Sequence, residues 1–371
     1  MDKKESRLVI RRDCIENNVR AVRQLTGARL MAVVKEDGYG IGIASAYRIL
    51  SGCSVDFFCV GTPREALTLR NLGFSGDILL LTPEYSLPLC SQLLEENIIF
   101  MVGNSRQADV LRQASRGMRR SPRIHIKIDT GLGRYGFFRD TLLTVKFCTL
   151  DMNIEGIYTH FASCGRNYRK NILLQKQRFD QALKILEESG VPVPFVHAAA
   201  SRTLAWAGDL GYDGVRIGSL LLGKETEGRA DFQDAVRLEA KICEKKWYPA
   251  GEYAGYRRDV KLKRDSLIGV VRAGCGDGLG LARQSRERLG LLRHAVRNMF
   301  FPDHAYCLSG NGSRVPILDN TGTGHTLVDL TGLGLNPGDV LSFRINPLLA
   351  DPDIPKIIVG DGEGIKDAAS F

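Results

Sequence analysis

"RLMAVVKEDGYGIG", residues 29–42, begins as an apolar run that breaks at Lys35 and gives way to three spaced glycines. Near-continuous apolarity, rather than strict alternation, is what a strand buried on both faces requires. The same kind of run recurs along the chain: "FFCVGT" (57–62), "DILLLT" (77–82), "IIFMVG" (98–103), "RIHIKIDT" (123–130), "IEGIYTHF" (154–161), "FVHAAAS" (195–201) and "YDGVRIGSLLLG" (212–223). Segments with helical spacing lie between most of them. "LLQKQRFDQALKILEESG", for example, ends on a glycine suited to a helix C-cap. Strands of this type alternating with helices pair in parallel, and eight of them close a (β/α)8 barrel. A doubly wound open sheet is the alternative. In a barrel the chemistry gathers at the C-terminal strand ends, and the runs end on Lys35, Thr62, Thr82, Asp129, His160, Ser201 and Arg216.

The rhythm changes after about residue 228. "VRLEAKICEKKWYPAGEYAGY", "SLIGVVRAGC", "AYCLSGNGSRVPILDN", "HTLVDLTG" and "DVLSFRIN" read as short strands separated by Gly, Pro and Asp turns. The expected organisation is a barrel over residues 10–228 and a C-terminal all-β domain over 229–371, with residues 1–9 joining the latter.

Composition narrows the function classes. Of 371 residues, 44% are hydrophobic and 25% charged, values ordinary for a globular chain. The net charge of +9 favours anionic ligands. No aromatic-interleaved basic helix points to nucleic acid, and the clusters at 116–123 and 257–264 read as solvent-facing. Nine cysteines without a CxxC pair suit reduced thiols. The first residues, "MDKKESRLVIRRD", carry no apolar run, and no stretch approaches membrane-spanning length, so a soluble, cytoplasmic protein is expected.

Lys35 at the end of a buried strand is placed for amine chemistry, because desolvation lowers a lysine pKa and suits it to a Schiff base; a solvated capping lysine is the plainer alternative. Arg134, on the glycine-flanked loop of "KIDTGLGRYGF", can anchor a carboxylate. His160, alone, is more often structural. Ser201 with Gly218 and Ser219 can form a phosphate cup without a lysine. "VRAGCGDGLG" (271–280) stays open at this level between a tight turn and a catalytic thiol, Cys275. It lacks the lysine of a phosphate loop and the second cysteine of a zinc knuckle.

Taken together, "VVKEDGYGIG", "IDTGLGRYGF", "EGIYTHFAS", "HAAAS", "VRIGSLLLG", "GEYAGY", "AGCGDG", "LVDLT" and "NPGDVL" resemble the alanine racemase family, the fold-type III pyridoxal-phosphate enzymes, over roughly residues 8 to 345. The resemblance implies that Lys35 holds pyridoxal 5'-phosphate. It further implies that Tyr39, Ser201, Gly218 and Ser219 bind the phosphate, that Arg216 faces the pyridine nitrogen, and that His160 stacks behind the ring. Arg134 would sit near the substrate carboxylate, and Lys127 matches a position that carries a carbamate in some members. An arginine keeps its proton at accessible pH, so the pyridine nitrogen stays unprotonated and the cofactor is a weaker electron sink, which favours reprotonation at the same carbon. The resemblance also implies a homodimer with active sites shared between chains.

Two departures stand out. The family's Gly-Tyr-Ala-Asp-Gly segment, whose tyrosine is the second acid/base and comes from the partner subunit, is Gly-Cys-Gly-Asp-Gly here, with Cys275 at the tyrosine. A thiol, with a reference pKa of about 8.5 against about 10, can take that role, and its shorter side chain leaves space for a bulkier substrate. The family's Cys-Met-Asp segment aligns with "TGTGHT", placing Thr323 and Gly324 in the substrate region. The expected activity is therefore racemisation or epimerisation of an amino acid other than alanine, with Lys35 and Cys275 as the two bases. The alternatives are a decarboxylase, against which Arg216 weighs; a lyase or aldolase, which would need a metal site; and a non-catalytic cofactor-binding protein.

Overall fold

The computed structural model describes residues 6–162, 169–226, 228–255, 258, 260–281, 306–318, 322–360 and 363–367, with the side chains of 140 and 363–367 excepted. The chain divides into two units. One runs Arg12–Ala235, and the other joins the segment through Arg11 to the segment from Val236 onward.

The second unit takes the first strand, β1 (Arg7–Arg11). The first unit holds a closed barrel of β2 (Arg29–Val33), β3 (Phe57–Val60), β4 (Asp77–Leu80), β5 (Ile99–Val102), β6 (Arg123–Lys127), β7 (Asn153–Tyr158), β8 (Val196–Ala200) and β9 (Gly214–Ile217). All are parallel, and β9 returns to β2 in the register Arg29↔Gly214 and Met31↔Arg216. That pairing removes both sheet edges and excludes an open, doubly wound sheet. Met31, Val33, Phe57, Cys59, Leu79 and Ile99 pack as one cluster, each from every second residue of its strand.

Local chemistry sets the helix starts and stops. Thr62 caps the helix Pro63–Asn71 in a capping box with Glu65, with proline in the first turn. The helix Arg169–Glu188 is followed by Gly190 at φ +76°, a left-handed stop.

Every barrel strand stops short of the end of its apolar run, and two of these ends bear on the site. The run 212–223 is extended only over Gly214–Ile217, because Ser201 Oγ takes the N–H groups of Gly218 (3.0 Å) and Leu220 (3.2 Å), and residues 219–222 wind into a 3-10 turn. The run 29–35 ends at Val33, and Lys35 already lies in the turn beyond.

In the second unit β10 (Val236–Tyr248) is the organising strand. The others are β11 (Tyr253–Ala254), β12 (Val260–Lys261), β13 (Ser266–Val271), β14 (Tyr306–Ser309), β15 (Arg314–Pro316), β16 (Thr326–Asp329), β17 (Val340–Arg344), β18 (Lys356–Gly360) and β19 (Glu363–Asp367). Over Arg237–Lys241, β10 pairs β17 and over Ile242–Tyr248 it pairs β13, with a bulge between Ile242 and Glu244 where it changes partner. β1 lies between β10 and β18. Among the described residues no helix is long and apolar enough to cross a membrane, and all eight described cysteines are unpaired.

Candidate active site

β7, β8, β9 and β2 are consecutive in the closed sheet, so the segments leaving their C-terminal ends share one stretch of rim. Lys35 leaves β2 there, half-buried. The following residues form an uncommon left-handed arc, with φ of 54° at Glu36, 53° at Asp37, 66° at Gly38, 57° at Tyr39 and 87° at Gly40. Side chains disfavour this region by about 1–2 kcal/mol each, so the arc must be held from outside. Asp37 Oδ1 accepts the Ile43 N–H at 2.8 Å, and Glu65 Oε1 accepts the Asp37 N–H at 3.2 Å. The lysine stem passes the end of β3, where a Cβ on Gly61 would lie 3.2 Å from Lys35 Cβ.

The arc turns Tyr39 onto the segment that follows β9. A Cβ on Gly218 would fall 2.4 Å from the Tyr39 ring and 2.6 Å from its hydroxyl, so only glycine fits. Ser201 is buried, and its Oγ gathers the two backbone N–H groups already described. It is aimed by a bulge between Ala198 and Ala200, where Ala199 adopts φ 60°. Tyr39, Ser201 and Gly218 are thus brought together. The neighbouring Ser219 hydroxyl donates instead to Glu225.

Arg216 is the last but one residue of β9, near its C-terminal end, and only 3% exposed. Nη1 donates to His197 Nδ1 (2.9 Å) and to the His197 carbonyl (3.2 Å), and Nη2 donates to the Thr159 carbonyl (2.6 Å). The guanidinium lies 4.7 Å from the Tyr158 ring centroid. Every acceptor is neutral. Burial pushes the Cys59 thiol up to about 12 and raises the Tyr158 phenol, so neither supplies an anion.

Burial, and after it this uncompensated positive charge, sets the protonation of its neighbours. Burial, then the charges of Arg216, Arg134, Lys127 and Lys35, push His160 down to about 3, so it is a neutral ring. Lys127 is 2% exposed, its Nζ has no hydrogen-bond partner, and burial followed by Arg216 pushes it down to about 8 against the pull of Asp129. Arg134 is exposed on a loop tied by Asp129, which accepts from Gly131, Leu132 and Gly133. Its charge reaches Lys127 and His160.

In the second unit Cys275 opens a 3-10 turn after β13 and is half-buried. The Cys275 N–H donates to the Gly322 carbonyl (2.9 Å) and the Gly276 N–H to the Thr323 carbonyl (2.8 Å), so Cys275 and Thr323 lie on two strapped segments. A Cβ on Gly274 would fall 2.1 Å from the Gly322 oxygen, and one on Gly278 2.5 Å from the Leu349 oxygen. These glycines therefore serve close backbone approach, with Asp277 Oδ2 accepting the Gly274 N–H at 2.9 Å.

Sequence reasoning passed over His125, Tyr158, His197 and the Thr159 carbonyl. A period of two was the signal available for His125 and Tyr158, and none pointed to His197 or the Thr159 carbonyl. His125 with Lys127 and Tyr158 with His160 are spaced to share one face of their strands.

Residues 10–226 match the family model described as "Alanine racemase, N-terminal domain", and residues 235–342 match "Alanine racemase, C-terminal domain". The chain is 30% identical to the alanine racemase of Aquifex pyrophilus over 90% of its own length and 86% of that protein's. Among solved structures it resembles an alanine racemase from D-cycloserine-producing Streptomyces lavendulae (TM-score 0.79, 23% identity, 98% of each chain). It also resembles a histidine racemase from Leuconostoc mesenteroides (TM-score 0.77, 18% identity, 97% of this chain and 99% of that one).

The buried amine of Lys127 makes a testable demand on stability. Its folded value near 8 lies below the ordinary 10.5, so between those values the unfolded chain binds the extra proton and stability rises with pH. Below pH 8 the penalty is fully present, on the order of 3 kcal/mol. In carbon-dioxide-free buffer, Lys127→Met should be more stable than wild type near pH 7, and the gap should shrink as pH climbs toward 10. Denaturant midpoints that differ by a constant amount across this window would contradict the assignment.

Proposed function

The chain belongs to the alanine racemase family, and on that premise we propose that it is a pyridoxal-phosphate-dependent racemase of an amino acid other than alanine, with Lys35 and Cys275 as the two bases. The observation that carries the cofactor half is the convergence of Tyr39, Ser201 and Gly218 beside Lys35, where a side chain at position 218 would collide with the Tyr39 ring. The two N–H groups that Ser201 now accepts are the donors a phosphate would take over, freeing the serine hydroxyl to donate as well.

When bound, pyridoxal phosphate supplies an aldehyde that condenses with amines and a ring that acidifies the substrate Cα. Lys35 would hold it through its ε-amine, and Tyr39, Ser201, Gly218 and Ser219 would hold its phosphate. Arg216 can only donate, so it would leave the pyridine nitrogen unprotonated. His160, neutral, would stack against the ring, and Arg134 would take the substrate carboxylate with Thr323 nearby. Lys35 removes or returns the Cα proton on one face, and the Cys275 thiol does so on the other.

A substrate other than alanine is supported by the short thiol and by Thr323 and Gly324 in the place of larger family residues. It is also supported by a fold shared with a histidine racemase. The protein acts in the cytoplasm as a homodimer, with Cys275 of one chain serving Lys35 of the other. A decarboxylase remains the second reading, and carbon dioxide release separates it.

Borohydride treatment of the yellow protein should fix pyridoxal phosphate onto Lys35, located by peptide mass mapping, and Lys35→Ala should abolish the adduct. Full-occupancy trapping in Lys35→Ala would sink the assignment. An NMR screen for Cα exchange in deuterated water identifies the substrate.

Mixing Lys35→Ala with Cys275→Ala chains should restore activity at about a quarter of the sites, since half of randomly reassorted dimers carry one intact site. No recovery after verified exchange would mean each site is built within one chain.

A further inference from the structure

The hydrogen bonds of Arg216 continue past His197. His125 Nδ1 lies 2.8 Å from His197 Nε2, making a buried line from β9 through β8 to β6. Donor chemistry fixes its direction. A guanidinium only donates, so His197 Nδ1 must present a lone pair to Arg216. The His197 proton is therefore on Nε2, pointing at His125, whose Nδ1 must accept. Neither ring escapes by becoming charged, because burial holds both well below the ordinary histidine value.

The barrel is shaped around the outer ring. A Cβ on Gly156 would lie 2.8–3.0 Å from three His125 ring atoms, so the neighbouring strand leaves the space open. Phe57 meets the same ring edge-on at 5.9 Å, and Tyr158 stacks on His197 at 4.7 Å with 14° between the planes.

We infer that His125 is a positioning residue for Arg216, acting through His197. By accepting the His197 Nε2–H, it holds His197 in the one tautomer that can receive Arg216. Without that acceptor two outcomes exist, and both disturb the arginine. Either the Nε2–H is orphaned in the barrel core, or the proton moves to Nδ1 and confronts the Arg216 N–H donor to donor. The consequence for the cofactor rests on the role proposed above for Arg216, whereas the tautomer itself does not.

The test uses the full-length protein with histidine-selective 15N labelling, read by solid-state NMR. In wild type, His125 and His197 should both carry the proton on Nε2. His125→Leu should move or split the His197 signal and weaken pyridoxal phosphate binding about tenfold, the affinity equivalent of one buried hydrogen bond. The absorption band of the bound cofactor should shift as well. His125→Asn sets an amide oxygen near the Nδ1 position and should restore the tautomer, with affinity within about twofold of wild type. If His125→Leu does not fold, Gly156→Ala displaces the ring without removing it and should give the same loss. A wild-type tautomer, affinity and spectrum in a folded His125→Leu protein, with only the melting temperature lowered, would reduce His125 to core filling. Loss of the tautomer in a protein that never binds pyridoxal phosphate would uphold the relay and overturn the cofactor reading alone.

Discussion

The buried guanidinium of Arg216 constrains the rest of the barrel mouth. A desolvated guanidinium is costly, and most proteins offset it with a carboxylate. Here the offset comes from two backbone carbonyls, a neutral imidazole and an aromatic face. None carries charge, so the guanidinium is not neutralised by its own partners. Burial first, and that charge second, lower the proton affinity of His160, His197 and Lys127, which leaves the two imidazoles neutral beside a fixed cation. Such a setting is suited to an anion, whether a phosphate or a substrate carboxylate.

Aiming functional groups into the barrel mouth requires backbone in unfavourable conformations. Glu36, Asp37 and Tyr39 lie in the left-handed region just past the end of β2, and Ala199 adopts it at the bulge within β8. Strain of this kind persists only where surrounding contacts over-determine it, and Asp37, Glu65 and the two-pronged Ser201 are those contacts. The barrel supplies eight strand ends, and the strained turns convert two of them into a rim that carries Lys35 and a turn where Ser201 gathers two backbone N–H groups.

The barrel was legible because its strands are apolar on both faces and therefore stand out as uninterrupted runs. Where those runs end was less legible. Nothing in "YDGVRIGSLLLG" announces that Gly218 leaves the extended region, since the cause is a serine seventeen residues earlier that captures its N–H. Lys35, Tyr39 and Ser201 could be singled out by type and place, while His125 could be found only through its spacing from Lys127 and His197 not at all. Each is an isolated histidine in an apolar strand, and only the sheet register brings them together with Arg216. The glycines around Cys275 could suggest either a turn or a ligand loop, and the carbonyl oxygens of Gly322 and Leu349 explain two of them sterically.

The most direct measurement is therefore made on Cys275→Ala, following Cα–deuterium exchange and enantiomer conversion side by side on the substrate the exchange screen identifies. If Lys35 serves one face and the thiol the other, the variant should keep its colour and slow exchange of one enantiomer while conversion falls by about 10²–10⁴-fold, the contribution of one positioned acid/base. Conversion at the wild-type rate in a folded Cys275→Ala protein would contradict the two-base account and leave the cysteine as part of a turn.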